Sequence, residues 1–151
     1  MLYQDRKLSI KFFPPSILQD AKKFDIAVAY INSGGLNEIY EEIGKALESG
    51  AKIRLLTQIR DAFNDPKTLR KLLDLQHKSN GKFEIRISTL RHFHPKMYLF
   101  EGEKEKIAFI GSSNFTGEGL TEHAEMNLKL RGEERIFTKL KNLLKSIGEI
   151  R

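Results

Sequence analysis

The order of apolar and polar residues predicts alternating strands and helices in the first half of the chain. The run FDIAVAYIN, at residues 24–32, is apolar almost throughout and has the length of a strand buried on both faces. KIRLLTQI at 52–59 and KFEIRIS at 82–88 predict the next two strands. Between these strands, apolar residues recur every three or four positions at 36–50 and 66–80, which predicts two amphipathic helices.

The second half of the chain predicts a strand meander and one last helix. HPKMYLFE (94–101) and KIAFIGS (106–112) have strand character and are separated by a short charged turn. AEMNLKL (124–130) alternates apolar and polar residues, as a strand with one buried face does, and residues 133–147 have helical periodicity. The whole order predicts an α/β fold, one mixed β-sheet flanked by helices on both faces, in a single domain covering residues 1–151.

Chain breakers and helical stripes add detail to this outline. LSIKFF predicts an edge strand that ends at Pro14-Pro15, and residues 16–23 predict a short helix. Asp65 and Pro66 provide an N-cap and a first-turn proline for the 66–80 helix. The side chains expected to face the core are Leu69, Leu72, Leu73 and Gln76 of that helix and Ile136, Leu140, Leu143, Leu144 and Ile147 of the last one.

Composition narrows the cellular setting and the class of partner. The chain has no apolar run long enough to span a membrane and no leader-like start, so we expect no membrane association and a cytoplasmic location. It contains no cysteine, which excludes disulfides and thiolate metal sites. The formal net charge of +6 favours a polyanionic partner. Basic residues crowd one segment, at Lys67, Arg70, Lys71, Lys78, Lys82, Arg86 and Arg91.

Four polar residues of the meander are placed to form a site. Side chains two residues apart lie on the same face of a strand, so His94 and Lys96 point the same way, as do Ser112 and Asn114. If the two strands are neighbours, an imidazole, an ammonium, a hydroxyl and a carboxamide converge. A phosphodiester is negatively charged and resists attack, so its cleavage needs a nucleophile, positive charge and a proton donor. The four groups suit the binding and attack of a phosphate.

These residues resemble the signature of the phospholipase D superfamily. The matching positions, in the order and at the spacing of its HxK and GSxN motifs, are His94, Lys96, Glu101, Gly111, Ser112 and Asn114. The resemblance covers roughly residues 24–130 and includes an acid at Glu125. It implies the α-β-α sandwich of the phospholipase D and nuclease fold. It also implies phosphodiesterase chemistry that needs neither a metal nor another cofactor.

The residue types themselves indicate a division of roles. A neutral His94 can attack phosphorus and form a phosphohistidine. Lys96 and Asn114 can bind the non-bridging oxygens, with Lys96 supplying the charge that a metal would otherwise bring. Ser112 can donate a further hydrogen bond. The predicted reaction is therefore metal-independent cleavage of a phosphodiester.

Further positions complete the predicted site. Glu125 matches the acid that orients the histidine in the resembled family, and Asn127 shares its strand face, where it is expected to support substrate binding. The backbone amides of Ser33 and Gly34, between a strand and a helix, are also candidates for binding a phosphate. The simpler interpretation of these glycine-rich residues is a plain turn.

Glu101 departs from the resembled family, which has an aspartate at this position. It lies seven residues after His94 and five after Lys96, so in an uninterrupted strand it faces away from both. We therefore expect Glu101 to support the structure and not to contact substrate.

The chain holds a single copy of the motif, whereas one histidine cannot act on both sides of the phosphorus. Single-copy members of the family complete the site by dimerising, so the resemblance implies a twofold homodimer in which the two His94 side chains face each other. Short single-copy members tend to be nucleases or the nuclease part of restriction enzymes and helicases. With the basic segment, this favours a DNA endonuclease, with a fused or associated helicase or restriction domain as a further partner.

Three alternatives stay open at this point. His92-x-His94 could form a metal site with His123 and Glu125, although no further ligand pair has a recognised spacing. A nucleic-acid-binding module with a degenerate site is a second hypothesis, which the glutamate at position 101 motivates. A phospholipase or phosphatidyltransferase is the third, although no apolar rim or amphipathic surface helix for a lipid is evident. The sequence distinguishes neither DNA from RNA nor one base sequence from another.

Overall fold

A computed structural model describes residues 15–59, 65–117, 120, 127–132 and 134–148 of the chain. Over these residues, helices and strands alternate much as the sequence predicts. In chain order the elements are α1 (Pro15–Asp20), β1 (Ala21–Val28), α2 (Ser33–Glu48), β2 (Lys52–Thr57), α3 (Pro66–Lys78), β3 (Phe83–Ile87), β4 (Lys96–Gly102), β5 (Lys106–Gly111), β6 (Asn127–Arg131) and α4 (Glu134–Gly148). The predicted strand in LSIKFF lies outside the described residues.

All the described strands belong to one mixed sheet, in the order β3-β2-β1-β4-β5-β6. β1, β2 and β3 are parallel to one another, whereas β4 and β6 run antiparallel to their neighbours. Val28, the last residue of β1, lies opposite Lys96. Gly111, the last residue of β5, lies opposite Asn127. The ends of β1, β2, β3 and β5 and the starts of β4 and β6 therefore share one edge of the sheet, which we call the carboxyl edge.

Each face of the sheet packs against helices. Phe24, Ile26 and Val28 of β1 join a core with α1, α2 and α3, in which the rings of Phe24 and Phe100 stack at 4.1 Å between centroids. Ala27 faces the other way and joins a smaller core with Leu144 of α4. The predicted α/β sandwich, with a mixed sheet and helices on both faces, is confirmed.

One charged residue lies inside the buried strand β1. Asp25 is buried and accepts two hydrogen bonds from Arg54 of β2, from Nε at 2.7 Å and from a terminal nitrogen at 2.8 Å. An unpaired carboxylate at this depth would cost several kcal/mol, and the two-pronged guanidinium offsets much of that cost.

Element boundaries differ from the prediction mainly around β1. The short helix ends at Asp20, not at residue 23, because Ala21 is buried and β1 begins there. β1 itself ends at Val28, although the apolar run continues to residue 31. Ala29 and Ile31 are also buried, so burial continues where regular pairing has ended and the sequence does not mark the change.

Some predicted core residues of the helices are exposed. Leu73 of α3 is 43% exposed and Leu143 of α4 is 53% exposed, and Ile136 is exposed as well. The buried positions are Thr68 and Leu72 in α3 and Phe137 and Leu144 in α4. Leu72, Phe137 and Leu144 are each adjacent in the chain to one of the exposed residues. The buried stripes are narrower than the apolar stripes of the sequence, so the prediction was wrong at these three flanking positions. No helix within the described residues is long and apolar enough to span a membrane.

Candidate active site

His94 and Lys96 lie together at the carboxyl edge, where β4 begins. Phe93 is buried in the smaller core and anchors the segment before the strand, while His94 is exposed. The backbone N–H of Ala29 donates to the carbonyl of Pro95 at 3.0 Å, which fixes this segment beside the end of β1. Lys96 Nζ contacts both ring nitrogens of His94, with Nε2 at 3.2 Å, and donates to the His94 carbonyl at 3.2 Å. The predicted convergence of these two side chains is therefore present.

Tyr30 connects His94 to Asn114. The Tyr30 ring meets the His94 imidazole edge-on, with 5.8 Å between ring centroids. Its backbone N–H donates to Asn114 Oδ1 at 3.2 Å, and its carbonyl accepts from the N–H of Phe115 at 3.1 Å. The sequence analysis missed Tyr30 because it lies within an apolar run. Its position just beyond the end of a buried parallel strand was the available signal.

The loop after β5 is fixed through Ser113, which was the unassigned position of the GSxN motif. Ser113 is buried, and its carbonyl accepts from the Tyr98 hydroxyl at 2.8 Å. Asn127 Nδ2 donates to Ser113 Oγ at 2.8 Å, and Asn127 Oδ1 accepts from the Ser113 N–H at 3.4 Å. With Ser113 held inward, Ser112 is exposed and Asn114 is half-buried at the carboxyl edge. The structure thus places Asn127 against the loop that carries two of the predicted site residues.

The first turn of α2 reaches the same edge. Asn32 caps the helix, and its Oδ1 accepts from the N–H of Gly35 and of Gly117, each at 3.0 Å. Ser33 is exposed there, and Gly34 lies so close to Gly117 that an added Cβ would approach its Cα to 3.0 Å. A Cβ on Gly35 would lie 2.3 Å from the carbonyl oxygen of Phe115. The glycines therefore permit a close approach of two backbones, which a plain turn would not require.

Two residues named from the sequence lie outside the described part of the chain. These are Glu125, the predicted orienting acid, and His123, which belonged to the alternative metal site. Within the described residues, no group of three or more metal-ligating side chains is placed to hold an ion.

Glu101 lies on the opposite face of the sheet from Lys96, as its parity in the strand predicts. It accepts a hydrogen bond from Lys141 of α4 at 2.8 Å, and Lys106 lies 3.8 Å away. The hydrogen bond from Lys141 lowers the pKa of the Glu101 carboxyl below its ordinary value, and the positive charges of Lys141 and Lys106 act in the same direction. Glu101 thus joins α4 to β4 and makes no contact with His94 or Lys96, which agrees with a structural role.

Comparisons with known proteins give one family and several solved structures of the same fold. The family described as cardiolipin synthase, PLD-like domain, matches residues 16–147. NucT from Helicobacter pylori superimposes with a TM-score of 0.73 at 16% identity, over 97% of this chain and 91% of its own. Nuc from Salmonella typhimurium, a phospholipase D family member, does so with a TM-score of 0.67 at 14% identity, over 94% of this chain and 85% of its own.

A third structure contains this fold as one part. TrmBL2, described as an archaeal chromatin protein with a novel mode of DNA binding, matches with a TM-score of 0.55 at 18% identity. The match covers 95% of this chain but 48% of TrmBL2. No curated protein sequence matches the chain. At these identities the structural matches concern the fold.

Proposed function

The chain belongs to the phospholipase D superfamily, through its cardiolipin synthase and PLD-like domain family, and we propose that it is a metal-independent phosphodiesterase with His94 as nucleophile. One observation carries this proposal: His94, Lys96 and Asn114 are joined at a single exposed edge of the sheet by direct contacts and by Tyr30. A nucleophile, a cation and an amide donor at one edge fit the attack on a phosphate.

The proposed reaction proceeds in two displacements. A ring nitrogen of neutral His94 attacks phosphorus, so that a P–N bond forms while the bond to the leaving oxygen breaks. The leaving oxygen takes a proton from a second histidine, and that histidine then accepts a proton from the water that hydrolyses the phosphohistidine. Lys96 is protonated and has only donors, so phosphate oxygens can replace the imidazole nitrogen as its acceptor. Asn114 and Ser112 bind the remaining non-bridging oxygen positions.

Other residues act around this centre. Glu125 is proposed to hold the His94 ring, as the corresponding acid of the resembled family does. Asn127 is proposed to support substrate binding indirectly. Its hydrogen bonds to Ser113 would keep Ser112 and Asn114 oriented toward the carboxyl edge. The backbone amides of Ser33 and Gly34, in the first turn of α2, are proposed to bind a phosphate, because the helix dipole favours an anion at this end of the helix.

The second histidine is proposed to come from a second copy of the chain. Each chain has one HxK motif, and an in-line displacement places attacking and leaving atoms on opposite sides of phosphorus. A twofold axis beside the carboxyl edge would bring two His94 rings to one phosphate. The exposure of His94 is compatible with this arrangement.

DNA is the substrate that we propose. The formal charge of +6 favours a polyanion, and TrmBL2, which has the same fold in part, is described as a DNA-binding chromatin protein. A lipid phosphodiester is the second candidate, because the matching family is described as a cardiolipin synthase. The two differ in the leaving group and share the proposed chemistry at phosphorus.

A cleavage assay with excess EDTA tests the mechanism and the substrate together. We expect the wild type to nick plasmid DNA at an undiminished rate in EDTA, and His94→Ala to lower the rate by about 10³-fold or more. His92→Ala removes an exposed histidine two residues away and should leave the rate unchanged. Phosphatidylglycerol vesicles in a parallel assay report the lipid alternative.

Other outcomes of the assay separate the alternatives. Loss of cleavage on chelation would contradict the metal-independent mechanism. Salt-sensitive DNA binding without cleavage, unaffected by His94→Ala, would identify a degenerate binding module. Release of a lipid head group without DNA cleavage would assign the chain to the lipid enzymes.

A further inference from the structure

The two helices beside the carboxyl edge carry opposite charge. The surface of α2 has four glutamates against Lys45, and Lys45 is itself paired with Glu41 at 2.7 Å. The surface of α3 has four cations against Asp74. These cations, which we call the α3 basic row, are Lys67, Arg70, Lys71 and Lys78, all exposed. Of these two neighbouring helices, α3 is therefore the positively charged one and α2 the negatively charged one.

Among the described residues, the carboxylate at the start of α3 caps the helix and does not pair with the α3 basic row. Asp65 accepts from the N–H of Lys67 at 3.0 Å and from the Thr68 hydroxyl at 2.9 Å, so its oxygens cap the helix. The hydrogen bond from Thr68 is the main cause of the lowered Asp65 pKa. Within the part of the chain that the structure describes, no ion pair joins a carboxylate to the basic row.

The row begins at the same edge of the sheet as the candidate active site. α3 follows β2, whose end is on the carboxyl edge, and leads to the start of β3 on the opposite edge. Its first turns therefore lie at the carboxyl edge, on the side of β2 and β3. In the sheet these strands are two and three positions from β4, or about 10 to 15 Å. Lys71 reaches across to α2, where its Nζ lies 3.4 Å from Asn37 Oδ1 and 4.1 Å from the centre of the Tyr40 ring.

We propose that the α3 basic row binds the phosphate backbone of duplex DNA beyond the scissile position. The row extends for about 16 Å along the helix. Duplex DNA carries one negative charge per about 1.7 Å of its axis, so a row of this length can contact several phosphates. The first glutamate of α2 is Glu38, which follows the first turn of the helix. DNA that lies along the carboxyl edge can therefore pass the start of α2, whereas the glutamates repel it from the rest of the helix. The duplex therefore leaves the site toward α3.

This inference rests on the proposed function, which supplies DNA as the substrate. Two measurements, DNA binding and hydrolysis of a small ester, distinguish a failure of this inference from a failure of the proposed function. The triple variant Lys67→Gln/Arg70→Gln/Lys71→Gln removes three cations near the edge. The matched control Lys104→Gln/Arg135→Gln/Lys139→Gln removes three exposed cations outside α3. Fluorescence anisotropy of a labelled duplex at several salt concentrations gives the slope of log affinity against log salt. Hydrolysis of bis(4-nitrophenyl) phosphate reports the site with a substrate too small to reach α3.

We expect the α3 triple variant to reduce the salt slope by roughly 2 to 3, since each lost phosphate contact removes about 0.9. The control triple should change the slope by less than about 1. Both variants should hydrolyse the small ester at the wild-type rate, and circular dichroism should show both folded.

Several results would overturn the proposal. These are an unchanged slope in the α3 variant, an equal fall in the control, or binding to anionic phosphatidylglycerol vesicles in place of DNA. Loss of small-ester hydrolysis in the α3 variant would show that those cations act in the active site. It would contradict the proposal that they form a separate DNA-binding surface. If the wild type hydrolyses neither substrate, the proposed function fails, whereas the salt slope still decides this proposal.

Discussion

Single residues at the carboxyl edge divide into those that present chemical groups and those that hold them. His94, Ser112 and Lys96 are exposed or half-buried, which the substrate contacts proposed for them require. Ser113 and Tyr98 are buried and make the hydrogen bond that sets the loop. The sequence motif identified the first group because its chemistry is distinctive. It left the second group unassigned because serine and tyrosine in strands have many ordinary roles.

The residue that departs from the family pattern has a defined electrostatic role. Glu101 is ionised beside Lys141 and Lys106, and its pKa is lowered by them relative to the ordinary value of 4.5. A carboxyl whose pKa is lower in the folded state stabilises that state above its unfolded pKa. The contribution is lost as pH falls from about 4.5 through the folded pKa.

We therefore predict that Glu101→Gln lowers the free energy of unfolding at pH 7 by up to about 1 kcal/mol, as for partly exposed ion pairs. The difference from wild type should shrink as pH falls below 4.5, because the wild-type carboxyl then takes up a proton. Urea unfolding at several pH values measures it. Glu103→Gln, in the exposed β4–β5 turn, is the control and should have little effect. A difference that grows toward low pH would contradict this account.

At the level of elements, the start of α2 and the segment after β5 are in close backbone contact. Gly35 has no room for a Cβ, since the Phe115 carbonyl would be 2.3 Å away. Gly44, in the same helix, has nothing within 4 Å of the corresponding position. The close backbone contact therefore requires glycine at position 35, whereas no such contact requires glycine at position 44.

We predict opposite effects of the same substitution at these two positions. Gly35→Ala should destabilise the fold by about 2 kcal/mol or more, because backbone must move, and should also lower activity by displacing Asn114. Gly44→Ala should raise stability by about 0.5–1 kcal/mol through helix propensity. Thermal unfolding and the cleavage assay measure both. Equal effects at the two positions would show that the close approach is unimportant.

The existence and order of elements could be predicted from the sequence, but their exact limits and registers could not. Alternation in FEIRI and the stripe of α3 are local signals, and each appeared as an element. The end of β1 depends on its pairing with β4, and the exposure of Leu143 depends on how α4 crosses the sheet. Both are set by distant residues, which a local pattern does not contain. The same reason explains why Tyr30 was not associated with His94, which is 5.8 Å away in space.

At the level of the whole molecule, the proposed reaction needs two chains. A site that requires a His94 from each chain is inactive in a mixed dimer with one His94→Ala subunit. If subunits mix at random, the active fraction is the square of the wild-type fraction.

We predict that activity in mixtures of wild type and His94→Ala follows this square law after subunit exchange. A half-and-half mixture should retain about a quarter of the wild-type rate, as random pairing in a twofold dimer requires. Sedimentation velocity at the assay concentration should show a dimer. A linear dependence on the wild-type fraction, or a monomer with full activity, would mean that each chain has a complete site.

The hydrogen bonds at the carboxyl edge join parts of the chain that are remote from one another. Tyr30 and Asn114 are 84 residues apart, and Asn32 and Gly117 are 85 apart. Closing such long loops costs entropy before any contact forms, so these links contribute to a high contact order and to slow folding. During synthesis from the amino terminus, β1, β2 and β3 can pair well before residues 112–127 leave the ribosome. A nascent chain can therefore hold half of the sheet without yet holding the edge at which the proposed chemistry takes place.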